Sequence, residues 1–436
     1  MNSGSGVSGE SCANRALHVN GVSGGDDLND PGHVSVVSQE SSMSRESEKP
    51  CHAAPIIGRF APSPTGRLHL GNIAAMLLAW LAARAADGSI VLRIEDIDYE
   101  RMMADADRWI MDDLTWLGLD WDGEPIWQSQ RTELYREAMK KLIEFPVKHM
   151  PSLAGDRLIY PCFCSRADIR AASAPQRGDG FVIYPGTCRH YSHESGGSLG
   201  TDGELVADPR PAARPRTARE IRKGLAGELR QHSLRIAVPT SPMCPASVVR
   251  FTDVLCGAQK WNLTTDLGDT IVKRADGHYA YQFVVVYDDL AQGVNQIVRG
   301  RDLDRSTALQ IWIRQALLAS ETADKKGKAQ SQPNPEQPQY WHIPLLTDAE
   351  GKRLAKRDKD LELATLREKG VKPQAVLGYL AGILGIGDGS DISADDLVKH
   401  YRSFHAENLA KALIEAGMQD RAVNLSDLEK RFGISL

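Results

Sequence analysis

A short segment near residue 60 restricts the possible folds of this chain more than any other feature. The sequence "GRFAPSPTGRLHLGNIAAML" reads as a β-strand, a sharp turn and the start of an α-helix. Pro62 and Pro64 lack backbone N–H donors and stop the strand, while Gly66 and Gly71 let a ligand approach the backbone closely. A helix from Ile73 onwards presents backbone N–H groups and the positive end of its dipole. The segment therefore predicts an anion-binding site at a strand-to-helix turn. The alternative is an ordinary connection between strand and helix that binds nothing.

The glycine spacing of this turn is that of a phosphate-binding P-loop, but the rest of the P-loop pattern is missing. Asn72 and Ile73 stand where a P-loop needs Lys followed by Ser or Thr. Without that lysine and the Mg²⁺-binding hydroxyl, a P-loop is disfavoured. His69, two residues before Gly71, takes the place of the missing cation.

Short apolar strands and amphipathic helices alternate around this turn. Strands are predicted at Ile56–Phe60 and Ile90–Ile94, and helices at Ile73–Ala86, Met102–Leu117 and Arg131–Phe145. This alternation is typical of an α/β fold with a parallel sheet.

The remainder of the chain is less regular. Residues 161–276 read as irregular, and strands return at Tyr279–Tyr287 and Gln296–Arg299. A helix is predicted over 306–320, and residues 361–436 read as mainly helical. The polar stretch 323–339 reads as a surface loop.

Composition excludes several classes of protein. The net charge is −5, with 42% hydrophobic and 25% charged residues, which is normal for a globular chain. No apolar run reaches eighteen residues, so no membrane partner is expected. Residues 1–54 are rich in Ser, Gly and Asp and read as a disordered tail, neither signal nor transit peptide. Seven cysteines without an export signal predict reduced thiols and a cytoplasmic location.

Two separated motifs resemble the signatures of class I aminoacyl-tRNA synthetases. His69-Leu-Gly-Asn resembles the "HIGH" motif, and "RFAPSPTGRLHLGN" closely resembles the glutamyl and glutaminyl branch. Far downstream, "GKRLAKRDKD" resembles the mobile "KMSKS" loop, with Lys356 at the second, phosphate-contacting lysine. Arg353 and Ala355 depart from the Lys and Ser of that motif.

The resemblance implies both a fold and a reaction. The fold is α/β: a Rossmann-like parallel sheet of the class I synthetases, an inserted zinc-containing subdomain and a C-terminal helical region. The reaction is adenylation, in which a carboxylate attacks the α-phosphate of ATP, with Mg²⁺ on the phosphates. His69 and Lys356 are the expected catalytic residues, and ATP is expected to contact His69, Gly71, Asn72 and Lys356.

The activated carboxylate is expected to belong to L-glutamate. Glu95, Asp96 and Asp98 follow an apolar strand, at the edge where open α/β sheets bind ligands, although a solvated strand end or a Mg²⁺ site is an alternative. Glutamate carries two carboxylates and one ammonium, which two arginines and one glutamate complement. The resemblance implies that glutamate contacts Arg59, Phe60, Ala61, Pro62, Ser63, Glu95, Tyr281 and Arg299.

A group of cysteines predicts a metal site. Cys162, Cys164 and Cys188 supply three thiolates, and Zn²⁺ takes a fourth ligand. His190 gives an ordinary Cys-x-Cys…Cys-x-His set, and a chance cluster without metal is a further alternative. The segment "YPGTC" resembles the pattern of the glutamyl-Q tRNA(Asp) synthetase family, in which the tyrosine is the ligand. That resemblance favours Tyr184 over His190.

The family resemblance also predicts the domain organisation and the substrate. We expect a tail over 1–54, the two halves of the catalytic domain over 55–160 and 277–345, the zinc-containing insertion over 161–276, and the KMSKS-like loop with helices over 346–436. About eighty residues follow Lys356, from which we expect no large anticodon-binding domain.

The expected activity is transfer of glutamate to the queuosine base in the anticodon of tRNA(Asp). The alternatives are a truncated glutamyl-tRNA synthetase that charges the tRNA 3′ end and an inactive paralogue that only binds. Residues 208–235 hold eight Arg or Lys and three acids and are a candidate phosphate-contacting segment.

Overall fold

The computed structural model describes residues 54–165, 167–169, 182–189, 199–200, 232–324, 337–348, 351–352, 354, 362–402 and 406–435. The strands in these ranges are β1 (Ile57–Phe60), β2 (Ser89–Ile94), β3 (Ile126–Trp127), β4 (Ile159–Cys162), β5 (Ser233–Ile236), β6 (Val248–Asp253), β7 (Gly257–Asn262), β8 (Thr270–Lys273), β9 (Gln296–Gly300), β10 (Gln339–Ile343), β11 (Leu346–Thr347) and β12 (Arg421–Ala422). The α-helices are α1 (Leu70–Arg84), α2 (Ala106–Leu117), α3 (Thr132–Glu144), α4 (Tyr281–Ala291), α5 (Asp304–Asp324), α6 (Leu363–Glu368), α7 (Pro373–Leu384), α8 (Ala394–Arg402), α9 (Ala406–Glu415) and α10 (Leu425–Phe432).

Two groups of parallel strands meet in the centre of the molecule. β1, β2 and β3 pair in that order, all parallel, with Gly58 opposite Ile90. The second group has the order β7-β6-β10-β9, in which β9 and β10 are parallel. β9 lies beside β1, where the Asn295 N–H donates to Ile57 O at 3.0 Å. Residues at or just after the carboxyl ends of β1, β2, β9 and β10 lie together, so these parallel strands share one edge, the usual ligand-binding edge of an open α/β sheet, while β7 runs antiparallel to β6. The predicted α/β class is confirmed.

The elements predicted for residues 55–160 are present, with small shifts at their ends. α1 begins at Leu70, three residues before the predicted start, because the His69 side chain caps it and accepts from the Gly71 N–H at 3.1 Å. α2 begins at Ala106, later than predicted, because Asp105 before it has a left-handed backbone with φ of 60°.

The prediction of a strand over Tyr279–Tyr287 was wrong, since Tyr281–Ala291 form α4. Residues Phe283–Val286 are all buried. A continuous apolar run has no periodicity by which a buried strand can be told from a buried helix. Its β-branched residues favoured a strand, and that indication was misleading. Packing of α4 against α3 and α5 decided the outcome.

The prediction that residues 161–276 are irregular was wrong for the described part. β4, β5 and β8 form an antiparallel sheet in which Ile159 faces Ile236, and the β6–β7 hairpin joins the central sheet. These strands have four to six residues, and those of Gly257–Asn262 are all exposed or half-buried. Val248–Asp253 does alternate buried with exposed residues, but the other strands are short or partly polar and lack the apolar alternation that reveals a strand in a sequence.

The helical prediction for residues 361–436 is confirmed for its described part, which contains α6 to α10. Leu377, Leu380, Leu397 and Leu409 pack in one hydrophobic core with α1 and β2. Among the described residues, no helix combines the length and the hydropathy that crossing a membrane requires.

Candidate active site

A cavity of about 670 Å³ opens at the shared carboxyl edge of β1, β2 and β9. The turn between β1 and α1 forms one wall, and residues 343–346 after β10 form another. The described lining contains four basic side chains, those of Arg59, Arg67, Arg299 and Lys352. Its one acidic side chain is that of Glu95. This excess of positive charge suits a ligand with several anionic groups.

The turn between β1 and α1 places an imidazole at the start of a helix. His69 is the N-cap of α1, and its Nδ1 accepts a hydrogen bond from Gly71 N. A neutral ring that accepts at Nδ1 carries its proton at Nε2. A Cβ atom on Gly71 would lie 3.1 Å from the His69 ring, so a larger residue there would press on it. The site thus combines a ring N–H donor with the positive end of a helix dipole.

Arg59 and Glu95 face the cavity from the ends of adjacent strands. Both are largely buried, with 6% and 8% of their surface exposed. Burial raises the pKa of Glu95, opposed by the nearby charges of Arg93 and Arg59. Burial likewise lowers the pKa of Arg59, opposed by Asp289. The pair offers one cation and one anion to a zwitterionic ligand.

A buried ion-pair network behind these two residues was not identified from the sequence. Asp289 Oδ1 lies 2.8 Å from Arg93 Nη1 and 3.6 Å from Arg59 Nε. Arg93 Nη2 in turn lies 3.3 Å from Glu95 Oε1. Arg93 is completely buried. Arg93 and Asp289 therefore hold the two cavity-facing groups in place. The sequence offered two signals for this network. One was Arg93, a charged residue inside the otherwise apolar strand β2, and the other was Asp288-Asp289 inside the apolar helix α4.

Arg299 is oriented by three side chains from two other elements, α5 and β10. Its Nη1 donates to Gln310 Oε1 at 2.8 Å, its Nη2 donates to the Thr307 hydroxyl, and its Nε donates to His342 Nε2 at 3.4 Å. His342 Nδ1 lies 2.7 Å from Asp253 Oδ2. Of the five guanidinium N–H groups, these bonds use three, and one remains on each terminal nitrogen. Two N–H groups on neighbouring terminal nitrogens are the donor pattern that can hold a carboxylate bidentately.

The three acids after β2 have three different environments. Glu95 lines the cavity. Asp96 accepts from the Ser129 N–H at 2.7 Å and from the Ser129 hydroxyl at 2.5 Å, which fixes a turn. Asp98 accepts from Arg101 Nε at 2.7 Å. Glu95 alone of the three lines the cavity.

Cys162, Cys164 and Cys188 come together at the end of β4. Their sulfur atoms all lie within 4.8 Å of one another, and the Cys164 and Cys188 sulfurs are 3.5 Å apart. Ligands 2.3 Å from a tetrahedral ion are about 3.8 Å apart, so three thiols at this spacing could hold a metal ion. The hydroxyl of Tyr184 lies 3.4 Å from the Cys162 sulfur and 3.7 Å from the Cys164 sulfur.

Arg235 completes the surroundings of this cysteine cluster. Its guanidinium carbon lies 3.7 Å from the centroid of the Tyr184 ring. Hydrogen bonds from Cys164 and Cys188 lower the pKa of the Cys162 thiol, while the same contacts with Cys162 raise the pKa of the other two thiols and burial raises that of Tyr184. The cluster thus favours the thiolate form at Cys162 first. His190 lies outside the described residues.

Comparison with known proteins identifies the family of this chain. The family model "tRNA synthetases class I (E and Q), catalytic domain" matches residues 55–159 and 204–415. A glutamyl-Q tRNA(Asp) synthetase of Nitratidesulfovibrio vulgaris is 38% identical over 340 residues, covering 76% of this chain and 87% of the relative. That of Geobacter sulfurreducens is also 38% identical, over 331 residues, covering 75% and 84%.

The chain belongs to the glutamyl-Q tRNA(Asp) synthetase family.

Solved structures agree on the fold of this family member. The crystal structure of glutamate-tRNA synthetase from Elizabethkingia anophelis is similar, with a TM-score of 0.57 at 23% identity, covering 86% of this chain and 69% of that chain. The class I synthetase fold expected from the two motifs is thereby confirmed.

Most of the residues predicted to form the site of this synthetase-family chain line the cavity at the carboxyl edge. They are Arg59, Phe60, Ala61, Pro62, Ser63, His69, Gly71, Asn72, Glu95, Tyr281 and Arg299. Lys356 lies outside the described residues, although Lys352 and Leu354 of the same loop line the cavity. Two further predicted segments lie mostly outside the described residues. Residues 201–231 hold most of the basic segment, and residues 325–336 hold most of the polar loop.

Proposed function

We propose that this chain activates L-glutamate with ATP and transfers the glutamyl group to the queuosine base in the anticodon of tRNA(Asp). Similarity to glutamyl-Q tRNA(Asp) synthetases over most of their length supports the proposal. The cavity supports the amino-acid part, since Arg59, Arg299 and Glu95 complement two carboxylates and one ammonium.

Glutamate recognition is proposed to use opposite sides of the cavity. The Arg299 guanidinium binds one carboxylate and Glu95 binds the ammonium, while Arg59 neutralises the other carboxylate. Phe60, Ala61, Pro62, Ser63 and Tyr281 form the walls around these three groups. Glutamine would leave the charge of one arginine uncompensated, so glutamate is the preferred substrate.

ATP is proposed to lie with its phosphates against the start of α1. The His69 ring and the Gly71 and Asn72 end of the helix stabilise negative charge as pyrophosphate leaves. Lys356 is proposed to approach from its loop, and Mg²⁺ is proposed to accompany the ATP phosphates. The protein supplies charge stabilisation and no covalent nucleophile. Because ATP, glutamate and tRNA occur together in the cytoplasm, we place the reaction there.

The cysteine cluster is proposed to bind a structural Zn²⁺ through Cys162, Cys164, Tyr184 and Cys188. Four protein ligands close the coordination sphere, as is typical of structural rather than catalytic zinc. The ion would join the end of β4 to residues 184–188 and supply no step of the reaction. The domain limits given above stay predictions.

The decisive experiment is transfer of labelled glutamate to three RNAs. We expect transfer to tRNA(Asp) with queuosine and to its isolated anticodon stem-loop, and none to tRNA(Asp) without queuosine. Transfer that requires an intact 3′ end and ignores queuosine would contradict the proposal and favour charging of the tRNA 3′ end.

A further inference from the structure

Two aromatic side chains from distant parts of the chain meet beside the cavity. The rings of Tyr99 and His278 have centroids 5.0 Å apart and are tilted by 52°. Both are unusually open to solvent, because 50% of Tyr99 and 44% of the His278 side chain are exposed. Exposed aromatic surface of this kind is more informative than a buried ring.

Short backbone turns fix both rings next to the residues that line the cavity. Tyr99 begins a 3₁₀ turn, Tyr99–Arg101, four residues after Glu95. His278 ends a tight turn in which Arg274 N donates to His278 O at 2.7 Å, and it lies three residues before Tyr281. The aromatic pair therefore lies beyond the carboxyl end of β2 and outside the cavity lining, a few residues along the chain from Glu95 and Tyr281.

The charges around this aromatic pair are already compensated. Asp98 accepts from Arg101 at 2.7 Å and lies 3.8 Å from Arg274. Arg274 also pairs with Asp276 at 2.6 Å. Cations bound to neighbouring carboxylates make a poor site for phosphates, which need uncompensated positive charge. Exposed rings in such neutral surroundings suit an uncharged, flat partner.

We propose that Tyr99 and His278 form a stacking surface for a nucleobase of the anticodon loop, next to the base that receives glutamate. This inference rests on the proposed function. Proteins read single-stranded RNA loops mainly by stacking splayed bases on aromatic side chains. A loop whose modified base enters the cavity places its neighbouring bases at the rim, where these two rings are exposed.

The test measures binding of a queuosine-containing anticodon stem-loop by fluorescence anisotropy. The substitution Tyr99→Ala should raise the Kd roughly 5- to 150-fold, the range expected for one lost stacking contact. Tyr99→Phe keeps the ring and should bind as the wild type does. His278→Ala should weaken binding in the same direction.

Salt dependence separates stacking from phosphate contacts. Stacking releases no counterions, so the slope of log Kd against log salt concentration should be equal in Tyr99→Ala and the wild type. Met243→Ala, which alters another highly exposed side chain, is the matched control and should change neither Kd nor slope. Glutamate affinity, measured by calorimetry, should be unchanged in all four variants.

The outcomes distinguish this inference from the proposed function. A wild-type protein that glutamylates the stem-loop, together with a Tyr99→Ala variant of unchanged Kd, would overturn the stacking surface alone. A reduced salt slope in Tyr99→Ala would also overturn it. A wild-type protein that neither binds nor glutamylates the stem-loop would overturn the proposed function itself.

Discussion

At the scale of single residues, His69 has two separable tasks. Its Nδ1 caps α1, and its ring is proposed to stabilise the phosphates of ATP. The cap is a property of the folded structure, whereas the second task is a proposal about chemistry.

We predict that His69→Ala and His69→Asn differ in stability but not in activity. Asparagine is a good N-cap, so His69→Asn should unfold near the wild-type temperature, while His69→Ala should lose about 0.5–2 kcal/mol. Both should lower kcat roughly 10²–10³-fold, because each removes the imidazole. Thermal unfolding and steady-state kinetics provide the two measurements. Wild-type turnover in His69→Asn would show that the ring only caps the helix.

We predict that Glu95 makes the binding of glutamate depend on pH. Burial raises its pKa above the ordinary value of 4.5, and only the ionised carboxylate attracts the substrate ammonium. As pH falls, kcat/KM for glutamate should therefore decline at a higher pH than an exposed carboxylate would cause. In Glu95→Gln we expect a low kcat/KM without this acidic limb. An acidic limb that persists unchanged in Glu95→Gln would assign the titration to another group.

At the scale of elements, the cysteine cluster joins β4 to residues 184–188. The Tyr184 hydroxyl contacts the sulfur atoms of Cys162 and Cys164 and accepts from the Cys188 N–H. Protein atoms alone make these contacts. A metal would replace these weak contacts by coordinate bonds.

We predict about one Zn²⁺ per chain by elemental analysis, lost in Cys162→Ser. Tyr184→Phe should weaken zinc binding, because it removes the hydroxyl beside the thiols, whereas His190→Ala should retain the ion. The opposite pattern would make His190 the fourth ligand. Full zinc content in Cys162→Ser would place the ion elsewhere.

At the scale of the whole molecule, two buried carboxylates join α4 to much earlier parts of the chain. Asp289 contacts Arg93 on β2, 196 residues before it, and Arg59 on β1, while the neighbouring Asp288 accepts from Arg131 Nε at 2.7 Å. Removing one partner of such a buried network leaves an uncompensated charge.

We predict that Asp289→Ala lowers the free energy of unfolding by about 3–5 kcal/mol in urea denaturation. Its surface counterpart Asp391→Ala breaks the exposed pair with Arg431 and should cost under about 1 kcal/mol. At low urea, folded Asp289→Ala should also bind glutamate more weakly, since Arg59 and Glu95 lose their support. Equal losses of stability in the two variants would refute the role of the network.

The sequence by itself determined the parts of this protein whose physics is local. The proline-broken turn, the glycines beside His69 and the alternation of strands with helices act over a few residues. They identified the α/β fold, and the resemblance of the motifs to class I synthetases then identified the family and a set of site residues, most of which line the cavity. The Cys162, Cys164 and Cys188 group was likewise recognisable from spacing within one short region, whereas Tyr184 was favoured over His190 only by the family resemblance.

Only the tertiary structure decided features that depend on distant partners. Whether Phe283–Val286 are strand or helix depended on packing from every side, which an apolar run does not encode. The orientation of Arg299 by His342, Thr307 and Gln310 joins separate elements of the sheet and its covering helix. The Asp289–Arg93 pair joins α4 to β2. Side-chain geometry of this kind arises when folding brings remote residues into contact, so a local pattern could mark Arg93 and Asp289 as unusual but could not pair them.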